Sequence, residues 1–290
     1  MLEIIFLLFL CLYLFQLSHS IAFFNRRIQR ISLNCKDIMK NQIFESNIKI
    51  RNYNLTNLKK SISYYEVKEN VIDIFINKAI DDDSIEPFGL VPWNATYIAV
   101  DILDNLKHYN YDNSLGTVVD LGCGVGISSI AVLALGAKHV YALDLNPDSL
   151  HLVRKAAQIQ GYNDRLSTLE FDIEKYDNND LPKCDLLILS DILYYPSLAK
   201  SAAIHCAKAM KQGSRVLITD PGRSTQKDFI QALKEQMQLM QLPLKSSSDS
   251  GSNRDGGRGK EEPLLEFKKH EVRLNSDQAS SSCSGYFMLL

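Results

Sequence analysis

The feature that most constrains the fold is a β-branched strand that runs into a glycine-rich turn and then into a helix. The segment Val118–Gly126 reads VVDLGCGVG, and the apolar, alanine-rich stretch 127–135 follows it. Glycine readily adopts positive φ angles and lets a ligand approach the backbone where a Cβ atom would clash. In doubly wound α/β sheets, such a turn lies at the carboxyl end of a strand, where ligands bind. The motif therefore predicts a ligand site at that edge of a sheet.

Strands and helices alternate along the chain after residue 117. Helical patterns occupy 127–135, 147–160, 197–211 and 226–240, and strand-like runs occupy 117–121, 140–143, 166–171, 185–189 and 215–219. This alternation indicates βαβ units and a parallel sheet. Two closing segments, 264–274 and 286–290, are joined by a short polar connection, so we expect an antiparallel pair. The predicted fold is therefore α/β: a doubly wound, mostly parallel seven-stranded sheet with an antiparallel C-terminal hairpin.

A chain of 290 residues suits one domain with tails. We assign residues 62–290 to that domain, with a flexible serine- and glycine-rich insertion at 246–260. Residues 1–22 are assigned to a leader, and residues 23–61 to a transit-like or linker segment. Apolar side chains alternate just after residue 61 and again at 72–76, which predicts a pair of strands ahead of the main sheet.

Three aspartates lie at the ends of the first three predicted strands: Asp120, Asp144 and Asp172. Asp144 is placed to accept hydrogen bonds from both ribose hydroxyls of an adenosine-containing cofactor, and Asp172 is placed to accept one from the adenine amino group. A dinucleotide-binding turn would have its third glycine at the position of Ile127. In addition, the Asp120 carboxylate would repel a pyrophosphate. These differences point away from a pyrophosphate ligand.

Together, Asp120–Gly126, Asp144 and the turn at Asp172 resemble the cofactor motifs of the seven-β-strand methyltransferases. That resemblance implies the Rossmann-like fold of this class and S-adenosyl-L-methionine as cofactor. It also implies a set of cofactor-binding residues: Trp93, Asp120, Gly122, Cys123, Gly124, Asp144, Asp172 and Ile173.

A second group of motifs resembles the small protein-lysine methyltransferases. The pattern Asp191-x-x-Tyr194 follows the fourth strand, and Pro87–Trp93 resembles the tryptophan-containing segment of that group. Asp220–Arg223 resembles the branch that modifies the β-subunit of electron-transfer flavoprotein. The resemblance implies methylation of a lysine side chain in a protein substrate, with Asp191 and Tyr194 as catalytic residues. Asp191 would orient the substrate ammonium, and Tyr194 would shape the pocket.

Other functions remain compatible with the same motifs, because a fold does not fix a substrate. The enzyme alternatives are a small-molecule or other N-methyltransferase and, more remotely, an NAD-linked oxidoreductase. The alternative from another class is a cofactor-binding protein without catalysis.

Charge and cysteine spacing limit the expected partners. The formal net charge is −2, and a nucleic-acid partner is not expected because phosphate binding requires a basic excess. The six cysteines contain no C-x-x-C pair, so we predict no metal site and expect thiols in a reducing compartment.

The amino-terminal sequence resembles a signal that targets a protein to a cellular compartment. The apolar run Ile4–Leu17 ends in the small residues of Ser18–Ala22, which is typical of a signal peptide. The basic, acid-free stretch 23–36 resembles a transit peptide. A signal followed by a transit segment favours delivery to a plastid. The alternative is an uncleaved N-terminal membrane anchor, which would leave the main domain in the cytosol.

Overall fold

The computed structural model describes residues 44–68, 87–106, 115–175, 180–242, 265–274 and 281–290. The predicted leader, most of the transit-like segment, the strand-like residues 72–76 and the insertion at 246–260 lie outside those ranges. The chain divides into two compact units, residues 1–48 and 49–290. The elements described below belong to the second unit, apart from Ile48 at the start of the first strand.

The described residues contain nine strands, five α-helices and two short 3-10 helices with defined bounds, and residues 44–47 are also helical. The strands are β1 Ile48–Leu55, β2 Lys60–Val67, β3 Thr117–Leu121, β4 His139–Asp144, β5 Leu166–Glu170, β6 Leu186–Ser190, β7 Arg215–Asp220, β8 Lys268–Leu274 and β9 Ser281–Leu289. The helices are α1 Asn94–Asp104, α2 Ile127–Ala134, α3 Pro147–Ile159, α4 Pro196–Lys211 and α5 Gln226–Leu239, with 3-10 helices at Pro87–Leu90 and Asn163–Arg165.

Seven strands form one twisted α/β sheet in the order β5-β4-β3-β6-β7-β9-β8. The first five are parallel to one another, and β9 pairs antiparallel with both β7 and β8. Helices cover both faces of this sheet. The predicted fold class is therefore confirmed, including the antiparallel C-terminal hairpin.

The centre of the sheet is apolar on both faces. All five residues of β6, with the sequence LLILS, are buried, as expected of a parallel strand covered by helices on both sides. Helix α2 is buried along nearly its whole length. Helix α3 begins at Pro147 and is capped by Asn146, whose side chain accepts a hydrogen bond from the Asp148 amide. The core thus holds the carboxyl ends of the central strands in a fixed arrangement.

Strand β9 begins earlier than predicted. It starts at Ser281 rather than at residue 286, and Ser281–Ser284 pair with β8. The polar sequence there predicted a connection. In the structure it is part of an edge hairpin, where the side chains of Ser282 and Ser284 are exposed and that of Cys283 is buried.

Strands β1 and β2 form a separate two-stranded sheet. Strand β2 has the alternating burial that the sequence predicts, but it pairs with β1, which the sequence did not indicate. Gln160 joins this hairpin to the end of α3, since its side-chain amide bonds both the N–H and the C=O of Ser63, at 3.0 and 2.7 Å. Strand β1 precedes residue 62, where the sequence-based domain boundary was placed.

Four of the six cysteines lie in the described part of the chain, and each is a free, buried thiol.

Across the described ranges, none of the helices has the length and apolar character needed to cross a bilayer.

Candidate active site

A cavity of about 540 Å³ opens at the carboxyl ends of β3, β4, β5 and β6. Its volume falls within the range of roughly 300–1,000 Å³ that is typical of small-molecule sites. The charged side chains in its lining are three carboxylates, Asp144, Asp172 and Glu174. Among the described residues that line it there is no Lys, Arg or His. The cavity therefore suits a ligand that carries positive charge.

The glycine-rich turn forms the floor of this cavity. The amides of Gly122 and Cys123 both donate to the Leu143 carbonyl, at 2.8 and 2.9 Å, which joins the end of β3 to the end of β4. Gly122 has a φ of 72°, and a Cβ atom there would lie 2.7 Å from Cγ2 of Ile192. A side chain at Gly122 would therefore be strained and would collide with the wall of the cavity.

Asp144 connects β4 to the glycine-rich turn. Its Oδ2 accepts a hydrogen bond from the Gly124 amide at 2.8 Å, and its Oδ1 accepts one from the Asn146 amide at 2.9 Å. Burial raises the pKa of this carboxyl, while the amide hydrogen bonds oppose the rise. Each oxygen of a carboxylate has two lone pairs. Asp144 can therefore accept ligand hydroxyls while it holds the turn.

Asp172 and Ile173 form the adjacent wall, after β5. Asp172 accepts the Glu174 amide at 3.0 Å and pairs with the Lys175 ammonium at 3.0 Å. The Ile173 carbonyl lies 3.0 Å from Nε2 of His205, a buried residue of α4. The structure thus brings the turn at Asp172 to the same cavity as Asp144, as the sequence predicts.

Four aromatic residues lie at the mouth of the cavity: Phe88, Trp93, Tyr194 and Tyr195. Their side chains are between 37 and 46% exposed. Trp93 is held in place because its Nε1 donates to the Phe88 carbonyl at 2.8 Å and its ring packs edge-on against the Phe88 ring. Trp93 therefore lines the cavity on its solvent side, and the cofactor contact expected of it stays a prediction.

Asp120 does not line the cavity, which corrects the cofactor contact predicted for it. The residue is fully buried, and its Oδ2 accepts hydrogen bonds from Oγ of Ser128 and of Ser129, each at 2.6 Å. Its side chain therefore faces α2 rather than the ligand edge. Burial raises the pKa of Asp120 to about 6. In the structure its contacts hold the glycine-rich turn to the first turn of α2.

Asp191 also lies outside the cavity lining, unlike Tyr194. It is 2% exposed and has a φ of 56°. Its Oδ1 accepts Nε and Nη2 of Arg223, at 3.1 and 2.5 Å. Burial raises the pKa of Asp191, and the Arg223 guanidinium opposes the rise. The carboxylate predicted to receive the substrate ammonium is thus already paired with a cation of this chain.

Glu174 is a candidate residue that the sequence motifs did not indicate. It lies in the turn after β5, two residues beyond Asp172, and it lines the cavity. The Tyr195 hydroxyl donates to its Oε2 at 3.1 Å. The sequence does place Glu174 just after a predicted strand, at the edge of the sheet where ligands bind, and this position could have indicated it. Glu174 places a negative charge at the solvent side of the site.

The fold and this site define a Rossmann-like methyltransferase. The sequence profile described as "Methyltransferase domain" matches residues 112–269. This is more than half of the chain, and the protein belongs to that family. Its cofactor is S-adenosyl-L-methionine.

Relatives of known activity match parts of the chain. The electron transfer flavoprotein β-subunit lysine methyltransferase of Xenopus laevis is 31% identical over 110 residues, which is 38% of this chain and 43% of that protein. The ribosomal protein L11 methyltransferase of Acinetobacter baumannii is 37% identical over 83 residues, which is 28% of this chain and 27% of that protein. The chain thus spans less than half the length of either relative.

A solved structure is also similar to part of the chain. The precorrin-6y C5,15-methyltransferase of Geobacter metallireducens is 14% identical with a TM-score of 0.41, and the match covers 67% of this chain and 84% of that one.

The residues present fit the cofactor of this family. The carboxylates of Asp144 and Asp172 face a cavity of suitable volume, and a Cβ atom at Gly122 would meet the cavity wall. Asp144 would hold the ribose, and the turn at Asp172 and Ile173 would hold the adenine. When bound, the cofactor supplies a methyl group on a positively charged sulfonium. Because the described lining contains no basic side chain, nothing in it repels the positive charge of the sulfonium.

Proposed function

We propose that the enzyme methylates a lysine side chain of a protein substrate. The observation that carries this proposal is the charge of the cavity lining, whose charged side chains are three carboxylates. Such a lining attracts an amine that arrives as a cation. It opposes the phosphate groups of a nucleic acid, which bind where basic side chains cluster.

The mouth of the cavity supports the same proposal. Its exposed rings, Phe88, Trp93, Tyr194 and Tyr195, provide apolar contact for the four-carbon stem of a lysine. Aromatic faces also attract an ammonium group within about 6 Å of the ring centroid. A partly exposed aromatic rim suits a long side chain that is inserted from a folded protein.

Lysine must lose a proton before it can act as a nucleophile. At pH 7 this costs about 4.6 kcal/mol for an ordinary lysine, whose pKa is near 10.4. An apolar environment lowers the pKa of a lysine, and Ile192 and Leu198 supply apolar wall beside the mouth. In this proposal Glu174 attracts the ammonium at the mouth, the proton leaves to solvent there, and the apolar wall favours the neutral amine inside. Tyr194 and the rest of the rim restrict its orientation.

The motifs and the relatives agree with a protein acceptor. The pattern Asp191-x-x-Tyr194 resembles the protein-lysine methyltransferases, and two partial matches are named for protein substrates, electron transfer flavoprotein β-subunit and ribosomal protein L11.

The test is transfer of a radiolabelled methyl group into fractionated native lysate, followed by mass spectrometry of any labelled protein. The proposal expects label in a discrete protein band and on lysine. A parallel lysate whose lysines have been chemically acetylated should accept no label. The matched control enzyme is Asp144→Asn, which removes the charge that would hold the cofactor.

Other outcomes would identify other functions. Label confined to small molecules would identify a small-molecule methyltransferase, and label that ribonuclease removes would identify an RNA substrate. Cofactor binding without any transfer would indicate a non-catalytic binding protein. Each of these results contradicts the lysine proposal.

A further inference from the structure

The Asp191–Arg223 ion pair joins two segments that are 32 residues apart in sequence. Oδ1 of Asp191 accepts two hydrogen bonds from one guanidinium, and the Asp191 side chain is 3% exposed against 30% for Arg223. Asp191 also has its backbone in the left-handed region, with a φ of 56°. Such a conformation persists in a non-glycine residue when the surrounding contacts impose it. The pair is therefore a structural constraint on the segment that follows β6.

The same guanidinium packs on the ring of Tyr194. Its Cζ lies 4.8 Å from the ring centroid, within the distance of a cation–π interaction. One residue earlier, the Leu193 carbonyl accepts a hydrogen bond from the Thr225 hydroxyl. Arg223 and Thr225 thus hold both the ring and the backbone of the segment that lines the cavity mouth.

Asp220 in turn fixes the segment that carries Arg223. This residue is fully buried, and its Oδ1 accepts the amides of Gly222 and Arg223 at 2.7 and 2.6 Å. The side-chain amide of Gln226 donates to the same oxygen at 2.7 Å. The guanidinium therefore projects from a turn that is itself held by a buried carboxylate.

We infer that Asp191 and Arg223 are positioning residues whose ion pair sets the Tyr194 ring at the mouth of the cavity, and that Asp191 does not itself bind the substrate ammonium. This inference rests on the proposed function, because Tyr194 is taken to orient a lysine side chain of the substrate. It assigns the predicted catalytic aspartate a different role, because its carboxylate is buried and paired with Arg223 instead of lining the cavity. The substrate ammonium is then recognised by the Glu174 carboxylate and by the aromatic residues at the mouth of the cavity.

The kinetic test uses Asp191→Asn, Arg223→Met, and the double variant. A positioning pair predicts that each single change lowers kcat on the protein substrate by about 10- to 100-fold, since small displacements near a reacting group have effects of this size. The double variant should be no worse than either single one, because residues that act as a unit are not additive. Cofactor affinity, measured by calorimetry, should not change. Arg223→Lys should retain intermediate activity, because an ammonium pairs with Asp191 but lacks a planar face for Tyr194.

Arg273→Met is the matched control, since Arg273 is an exposed residue of the edge strand β8. It should behave like the wild type. Loss of transfer in Asp191→Asn with full activity in Arg223→Met would overturn the inference, because Asp191 would then act on the substrate without its partner.

Hydrogen exchange followed by mass spectrometry provides a readout that does not require a substrate. Arg223→Met should speed amide exchange in residues 191–195 while the glycine-rich turn keeps the wild-type rate. Unchanged exchange in residues 191–195 would overturn the inference even if a lysine substrate is found. If no lysate protein accepts a methyl group from the wild type, the proposed function fails. The exchange experiment still decides the positioning role.

Discussion

The carboxylate of Asp144 accepts a hydrogen bond from the backbone N–H of Gly124 at 2.8 Å. This contact joins the end of β4 to the glycine-rich turn after β3, so one side chain both shapes the turn and faces the cavity. The two parts of the sequence that best predict a ligand are therefore in direct contact. A change at Asp144 should affect the turn and the ligand together.

Gly122→Ala should abolish cofactor binding and destabilise the fold. Gly161→Ala is a matched comparison, because both glycines have a φ of 72° but a Cβ atom at Gly161 would meet nothing within 4 Å. Left-handed backbone costs about 1–2 kcal/mol in a residue with a side chain, and this cost applies to both variants. The contact with Ile192 at 2.7 Å applies only to Gly122→Ala. Thermal unfolding should therefore show a larger loss of stability in Gly122→Ala than in Gly161→Ala. Calorimetry should show loss of cofactor binding in Gly122→Ala and wild-type binding in Gly161→Ala.

Asp120 should make the stability of the wild type fall as the pH rises from about 4 to 6. Burial raises the pKa of Asp120 from 3.8 to about 6 in the folded state, so the folded protein binds more protons than the unfolded chain in this interval. Stability then decreases with rising pH, by about 3 kcal/mol in total for this group. Urea unfolding of Asp120→Asn at a series of pH values should give a flatter curve between pH 4 and 6. An identical slope in the two proteins would show that Asp120 is not responsible.

Glu174→Gln should raise the KM for the protein substrate and leave the cofactor dissociation constant unchanged. The carboxylate lies at the exposed mouth, where a single charge pair contributes up to about 1 kcal/mol, or roughly a fivefold change in KM. The effect should shrink at high salt, because the Debye length falls to about 3 Å at 1 M. Glu266→Gln, at an exposed position ahead of β8, is the control. A change in kcat without a change in KM would contradict a role in attracting the substrate.

Local patterns were sufficient to predict the central fold. The strand at Thr117–Leu121 and the helices that begin near Pro147 and Gln226 lie within one or two residues of their predicted bounds. Each of these elements is specified by its own periodicity, glycines and prolines. The convergence of Asp144 and Asp172 also followed, because parallel strands that end at one edge bring their last residues together.

Long-range contacts explain what the sequence did not predict. The side chain of Asp120 faces α2 because of how strand β3 packs against that helix, which no local pattern reveals. The pairing of Asp191 with Arg223 depends on two turns, after β6 and after β7, that meet only in the folded sheet. Strand β1 does alternate, but its phase shifts between Ile50 and Tyr53, and it was not identified from the sequence as the partner of β2.

The most direct test of the site is calorimetric titration of the purified protein with S-adenosylmethionine and with its demethylated product, S-adenosylhomocysteine. The account predicts one binding site per chain for each ligand. It predicts affinity about 10- to 100-fold weaker in Asp144→Asn, since hydrogen bonds to charged groups contribute about 1.5–3 kcal/mol. Asp164→Asn, at an exposed aspartate in the Asn163–Arg165 turn, should bind like the wild type. Absence of heat for both ligands, or wild-type affinity in Asp144→Asn, would contradict the account.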